Sequence, residues 1–305
     1  MLTISNPTEA ELKNTLQVAF QHLSPNEFDL RIGTIMQQYR LGQLDLAGIF
    51  QAKHENILVG AMYAQCRPEG SVMLAPPIMA KGFPFEPMFE ALEHFCRSHN
   101  AYAAVALADR NQLFDEQTLC TIGQFRYLSD LIHLAAEISP NEHSSKPYHL
   151  QFVPLSDCSE DISDRLTRLV KGTYEQSLDF SDLMQIAPVE HVLQGYKCGE
   201  LFRPELWFFV QKDGTDVGVL LLTDASPEQF ELTYMGLLES ARRQGFSREI
   251  VRFAREMTSR EKRLLLLTSV DEKNIPASQS YLSHGFKAWD RKKVYARLFA
   301  SEPQR

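Results

Sequence analysis

Phe230-Glu231-Leu232-Thr233-Tyr234-Met235-Gly236-Leu237-Leu238, running on to Arg242-Arg243-Gln244-Gly245-Phe246-Ser247-Arg248, is the stretch on which the reading of this chain turns. Leu232, Tyr234, Leu237 and Leu238 give it the apolar character of a strand. An Arg-Gly turn ends that strand, and Ile250, Phe253, Ala254 and Met257 then recur at the spacing of a helix with one buried face. A second apolar run, Leu264 to Val270, precedes Asn274-x-x-Ala277-x-x-x-Tyr281-x-x-His284-Gly285-Phe286. Pro276 suits the first turn of a helix. Asn274, Ala277 and Tyr281 would share one face of it, and Gly285-Phe286 would end it and start another strand.

A glycine turn ahead of a helix exposes unpaired N–H groups at the positive end of the helix dipole, where an anion is bound without a metal. Gly245 lets backbone approach such a group with no Cβ in the way, and the N–H groups of Arg243 to Ser247 would converge on it. Arg242, Arg243 and Arg248 add positive charge to a chain of net charge −8. Taken alone, Arg-x-x-Gly is common, and a glycine before a helix often just makes the turn. Arg248, Arg252 and Arg255 are equally a solvated face paired with Glu249 and Glu256. The strand before the turn and the second motif after it favour a site.

Arg242-x-x-Gly245-x-Ser247 and the Asn274 to Phe286 pattern together resemble the acyl-CoA-binding core of the GNAT superfamily of N-acyltransferases. Ser247 stands where that family has Gly or Ala. The resemblance implies acetyl-CoA as co-substrate, with no metal. It would be held by Gly236, Leu237 and Leu238 on a splayed strand, by Arg242, Arg243, Gln244, Gly245, Phe246, Ser247 and Arg248 around the turn, and by Asn274 and Ala277 on the second helix. The amides of Gly236 to Leu238 would receive the thioester carbonyl. Tyr281 would protonate the departing thiolate, although the residues by themselves leave it equally a packing tyrosine.

Direct attack by an amine also needs a proton acceptor. Glu231 is the first candidate, with Tyr234 and Asp271 behind it. Strict alternation would put Glu231, Thr233 and Met235 on one face and Leu232 and Tyr234 on the other. By resemblance the acceptor pocket is built from the first two helices of the domain and their loop, where Tyr174, Glu175, Asp179 and Asp182 lie. These would suit a cationic amine, and an ordinary surface loop would look the same. The expected function is direct transfer of an acetyl group from acetyl-CoA to a small-molecule or peptide amine. The alternative is a CoA-binding or protein-interaction module without catalysis.

The rest of the chain repeats this order. Thr8 with Glu11 reads as a capping box opening a helix over about 8–23. A second helix over 28–39 and strands at 46–52, 57–65 and 72–79 follow. A helix over 85–98, a strand at 101–108, a helix over 112–122 and a closing strand or strands at 127–137 complete the first half. The second half gives helices near 162–170 and 189–196, and a hairpin of 206–211 with 217–223. The decisive stretch and a last strand at 293–298 complete it. Gly82-Phe83 stands 163 residues before Gly245-Phe246, Asn111 163 before Asn274, and Gly123 162 before Gly285. The chain therefore reads as α/β (α+β), two tandem GNAT-like domains, each a mixed, mostly antiparallel sheet flanked by helices. The polar, proline-bounded residues 139–147 read as a linker between a domain over 1–138 and one over 148–305. On this alignment the first copy has Met79, Pro84 and Thr118 or Leu119 in place of Arg242, Ser247 and Tyr281, so it reads as degenerate. The tandem layout is similar to that of mycothiol-synthase-like acetyltransferases.

Composition narrows the class further. A length of 305 residues suits two domains, and the acidic balance argues against a surface that tracks nucleic acid. Cys66, Cys96, Cys120, Cys158 and Cys198 are odd in number, scattered and in no C-x-x-C pair, as expected of reduced thiols in the cytoplasm. No apolar run reaches membrane-spanning length, and residues 1–7 lack a leader pattern, so neither membrane insertion nor export is expected. Oligomeric state is left open.

Overall fold

A computed structural model describes residues 1–42, 44–109, 115–143, 146–158, 162–179, 187–197 and 202–299. Asn111, Asp182, Cys198 and the first residues of the expected 112–122 helix lie outside them.

Contacts divide the chain into one unit of Met1–Leu128 with Lys292–Arg305 and a second of Ser129–Arg291. The cuts therefore fall at 128/129 and 291/292, not in 139–147. That expected linker is part of the second unit, where its polar residues pack on a helix. Glu142 pairs with Arg255 at 2.6 Å, Ser259 Oγ donates to Ser139 O at 3.0 Å, and Arg252 donates to Pro147 O at 3.1 Å.

In the first unit the strands are β1 (Leu2–Ser5), β2 (Ile49–His54), β3 (Ile57–Cys66), β4 (Ser71–Met79), β5 (Ala103–Asp109) and, from the end of the chain, β12 (Lys287–Leu298). They are ordered β1-β2-β3-β4-β5-β12, and only β4 and β5 are parallel. Helices α1 (Glu9–Ala19) and α2 (Pro25–Arg40) cover one face. Helices α3 (Glu86–Ser98) and α4 (Glu116–Thr121) cover the other.

The second unit orders β6 (Arg126–Glu137), β11 (Leu265–Asp271), β10 (Gln229–Leu237), β9 (Thr215–Ser226), β8 (Trp207–Lys212) and β7 (Gln151–Pro154). Only β10 and β11 are parallel. Helices α5 (Ile162–Tyr174) and α6 (Val189–Lys197) pack on the face carrying Trp207, Phe209, Val219 and Leu221. Helix α7 (Phe246–Arg260) and the short helix α8 (Ile275–Leu282) pack on the face carrying Phe208, Leu220, Leu222 and Phe230.

Each half thus gives its last strand to the other's sheet: β6 pairs antiparallel with β11 and β12 with β5. Side-chain alternation tells which face of a strand is buried but not which strand lies beside it. The exchange, and the short edge strands β1 and β7, were therefore invisible in the sequence.

The capping box at Thr8 is present, and its Glu11 carboxylate also receives Lys53 Nζ and Gln51 Nε2. Lys53 first, then Thr8 and Gln51, hold the Glu11 carboxyl down to about 2 from its ordinary 4.5. A carboxyl depressed on folding stabilises above its unfolded value and loses that contribution as pH falls through its folded one. Between pH 4.5 and about 2 the urea midpoint of the wild type should therefore fall more steeply than that of Glu11→Gln, which lacks the contribution throughout. Parallel curves would remove Glu11 from the acid response.

Candidate active site

Strand β10 pairs with β9 along its length but with β11 only from Gln229 to Leu232. The two then part, β11 continuing to Asp271 against β6. A bulge between Leu232 and Tyr234 interrupts the alternation that the sequence implies. Phe230, Leu232, Met235 and Leu237 pack with α7, while Tyr234 turns to the α5 face, the face on which Glu231 lies opposite Thr223. Glu231 and Tyr234 therefore share a face, contrary to expectation, because the extra residue shifts the register by one. Tyr234 OH and Thr173 Oγ1 lie 2.7 Å apart, and a Cβ on Gly236 would meet Thr173 Oγ1 at 2.6 Å, so only glycine fits beneath that pair.

Of the three amides expected to meet a thioester, Leu238 N–H donates to Val217 O at 2.9 Å and is unavailable. Leu237 O accepts from Arg242 Nε at 3.1 Å and thus faces away from β9. In an antiparallel ladder the N–H and C=O of one residue point the same way and those of its neighbours the other. The N–H groups of Leu237 and Met235 therefore point to the edge that β11 leaves open, and Gly236 N–H does not.

The turn beyond β10 separates its arginines. Arg242 donates to Leu237 O, Thr173 O (3.0 Å), Glu175 O (2.8 Å) and Gln176 O (3.3 Å), tying the C-terminal end of α5, whose carbonyls lack helical partners, to the end of β10. Its guanidinium is committed to protein, whereas Arg243 has no hydrogen-bond or ion-pair partner among the described residues. Arg243 and Gly245 both sit at positive φ, 61° and 81°. Gly245 caps α7, and a Cβ there would meet nothing within 4 Å. Among the described residues, the backbone N–H groups of Arg243, Gly245, Phe246 and Ser247 donate to no protein acceptor, while Gln244 N–H closes the turn at Arg242 and Arg243. Ser247 Oγ lies 2.8 Å from Ser280 Oγ, so the hydroxyl that departs from the family's Gly or Ala joins α7 to α8.

These elements enclose a cavity of about 680 Å³, within the ~300–1,000 Å³ usual for small-molecule sites. Gly236, Leu237, Arg242, Arg243, Gly245, Phe246, Ser247, Asn274 and Ala277 line it, as do Thr173, Gln176, Asp179, Tyr234, Met235 and Glu239. Leu238, Gln244 and Arg248 do not: Leu238 packs toward Gly172, and Gln244 Nε2 is bonded to Ser240 O. Thr173, Gln176 and Asp179 bring the end of α5 and the segment after it into the wall; of the residues expected near the acceptor, Asp179 lines the cavity, Tyr174 and Glu175 do not, and Asp182 lies outside the described residues.

Neither expected catalytic side chain lines the cavity. Tyr281 is 5% exposed in the α7 core beside Phe286, hydrogen-bonded to Thr268, which donates onward to Leu232 O at 3.0 Å. Burial pushes its phenol up, which weakens it as an acid. Tyr281→Phe should cost about 1 kcal/mol of stability and leave acetyl-CoA affinity unchanged in calorimetry; a loss of affinity would put the phenol on the ligand. Glu231 is half-buried, with its carboxyl raised by burial alone. Asn274 Oδ1 caps α8 by accepting from Ala277 N at 3.2 Å, and its side chain is also bonded to Asp179. Asp179 does line the cavity, and burial raises its carboxyl.

No family model matches the chain, and no curated protein matches its sequence. Solved structures do match. A GCN5-related N-acetyltransferase from Sphaerobacter thermophilus gives a TM-score of 0.59 at 12% identity, over 97% of this chain and 95% of its own. A tandem GNAT protein from the clavulanic acid biosynthesis pathway gives 0.50 at 11% identity, over 99% and 100%. This chain has the tandem GNAT fold. A GCN5-related glucosamine N-acetyltransferase region of a fungal multi-domain GH3 β-N-acetylglucosaminidase gives 0.54 at 12% identity, over 97% of this chain and 38% of that one. At such identities the likeness is one of fold.

The two units differ around this cavity. In the first, the N-cap of α3 is Phe85, at φ −88°, where α7 has Gly245, and the N-cap of α4 is Asp115, where α8 has Asn274. The cap positions correct the sequence alignment: Gly82, at φ 91°, precedes its helix by four residues, and Thr118 corresponds to Ala277 and not to Tyr281. Phe85 and Phe89, with Pro76 and Pro77 of β4, leave only about 10 Å³ at the corresponding place. Among the described residues no cluster of three His, Cys, Asp or Glu could hold a metal, and no helix is long and apolar enough to cross a membrane.

Proposed function

We propose that the second GNAT unit binds an acyl-CoA, acetyl-CoA in the first instance, and passes the acyl group directly to an amine. The observation that carries this reading is the set of uncommitted N–H groups at Arg243, Gly245, Phe246 and Ser247, in a cavity wall that continues to the parting of β10 and β11. The residues fit the donor. Those N–H groups and the Arg243 guanidinium would take its phosphates, and Gly245 leaves open the space that a Cβ would fill.

Bound there, the donor supplies an activated thioester. The N–H groups of Leu237 and Met235, on the edge without a neighbouring strand, would stabilise the charge that develops on the carbonyl oxygen. No cysteine lines the cavity among the described residues, in keeping with direct transfer. The reading is tested by mixing acetyl-CoA with amines and following release of the free thiol: amine-dependent release supports it, and release that no amine accelerates removes it.

A second reading, a CoA-binding module without catalysis, is favoured by one observation: Tyr281 and Glu231 both lie outside the cavity wall. Binding of acetyl-CoA with no amine-dependent thiol release would decide for it.

A further inference from the structure

We propose that Asp179 is the catalytic residue that accepts the proton of the attacking amine. The proposal rests on the acyl-transfer reading above. Asp179 follows α5 on a segment whose carbonyls Arg242 holds, and its own N–H donates to Ser177 Oγ at 3.2 Å. From there its carboxyl reaches the far side of the parted strands, where it is bonded to the Asn274 side chain and to the backbone of Asp271. Because Asn274 Oδ1 caps α8, the amide faces Asp179 with its NH₂. The carboxyl is thus fixed in the wall at the end of β11, facing the cavity that Tyr234 and Leu237 of β10 line from the other side.

Transfer requires the amine nitrogen to form a C–N bond while the C–S bond breaks. The sulfur leaves with the bonding electron pair and is protonated by water; the nitrogen loses one proton, and Asp179 takes it. A base works best with its pKa near the working pH, and burial moves this carboxyl upward. The titratable groups around it are Tyr234 on β10, Asp271 on β11 and Tyr281 on α8, with Glu239, Arg242 and Arg243 in the same wall. Both phenols stay neutral at physiological pH, since burial raises them. Glu231 and Asp271, the carboxyls considered for the role from the sequence, do not line the cavity.

The test follows thiol release from acetyl-CoA against pH, with spermidine, tyramine, glucosamine and a short peptide with a free N-terminus as amines. It compares wild type, Asp179→Asn, Asp179→Glu and Glu231→Gln, each with calorimetry of acetyl-CoA. Asp179→Asn should bind acetyl-CoA as the wild type does, turn over about 10²-fold or more slowly, and lose the acid limb of the profile. Asp179→Glu should keep the limb, and Glu231→Gln should keep both rate and limb. A wild-type rate in Asp179→Asn, or loss of the limb in Glu231→Gln, overturns the proposal while leaving acyl transfer standing. Loss of acetyl-CoA binding in both Asp179 variants makes the residue structural and also overturns it. A wild type that binds acetyl-CoA but acylates none of the four amines removes the acyl-transfer reading and the proposal with it.

Discussion

Gly245→Trp is expected to weaken acetyl-CoA binding about 100-fold, the upper end of what ~1–3 kcal/mol of steric misfit gives. The place of the glycine makes the effect large. Gly245 lies in the cavity wall, and the direction of its absent Cβ is open, so an indole added there occupies ligand space without pushing on the protein. Its φ of 81° also costs any L side chain about 1–2 kcal/mol. Gly245→Ala carries that strain with little bulk and serves as the control. Its affinity should fall much less, while the urea midpoints of both variants should fall alike. Equal affinity in wild type and Gly245→Trp, measured by calorimetry, would remove the phosphate-loop assignment.

The second large effect is expected at Arg242, on stability before affinity. Four carbonyl oxygens, on two segments that no backbone ladder joins, share its guanidinium. Lysine keeps the charge but replaces a planar five-donor fork with a point charge on a flexible stem. Arg242→Lys should therefore lose about 1–3 kcal/mol in a urea titration, and acetyl-CoA affinity should weaken as the end of α5 comes away from β10. A lysine variant of wild-type stability, weakened only in affinity, would mean that Arg242 serves the ligand and not the fold. Arg243→Ala should show the converse, because its side chain is exposed and without a partner among the described residues: unchanged stability and weaker binding.

The contrast between these neighbours marks how far the sequence could be read. Strand, glycine turn and amphipathic helix follow from residue spacing, and Gly245 at positive φ is where a chain needs glycine. Which arginine faces the ligand does not follow, because Arg242 is drawn away by the carbonyls of a helix more than 60 residues earlier in the chain. Tyr281 shows the same limit. Its helical spacing from Asn274 and Ala277 was legible, yet it sits against Phe286 in the core while Ala277 lines the cavity, since α8 lies over the sheet and turns that side inward.

Strand β10 departs from plain alternation at one added residue, enough to move Tyr234 to the face of Glu231 and to free the amides of Met235 and Leu237 from pairing. A degenerate first unit was expected from Met79 and Pro84, on an alignment that the helix caps shift. At the place that corresponds to the cavity stands Phe85 at the cap position, with Phe89 one turn on, a packing outcome visible only once the helix start is fixed.

The proposed single acyl-CoA site, in the second unit, is decided by calorimetric titration of acetyl-CoA into the full chain. Micromolar binding at one site per chain, lost in Gly245→Trp, is the expected result. Binding at two sites per chain, or none, would contradict it.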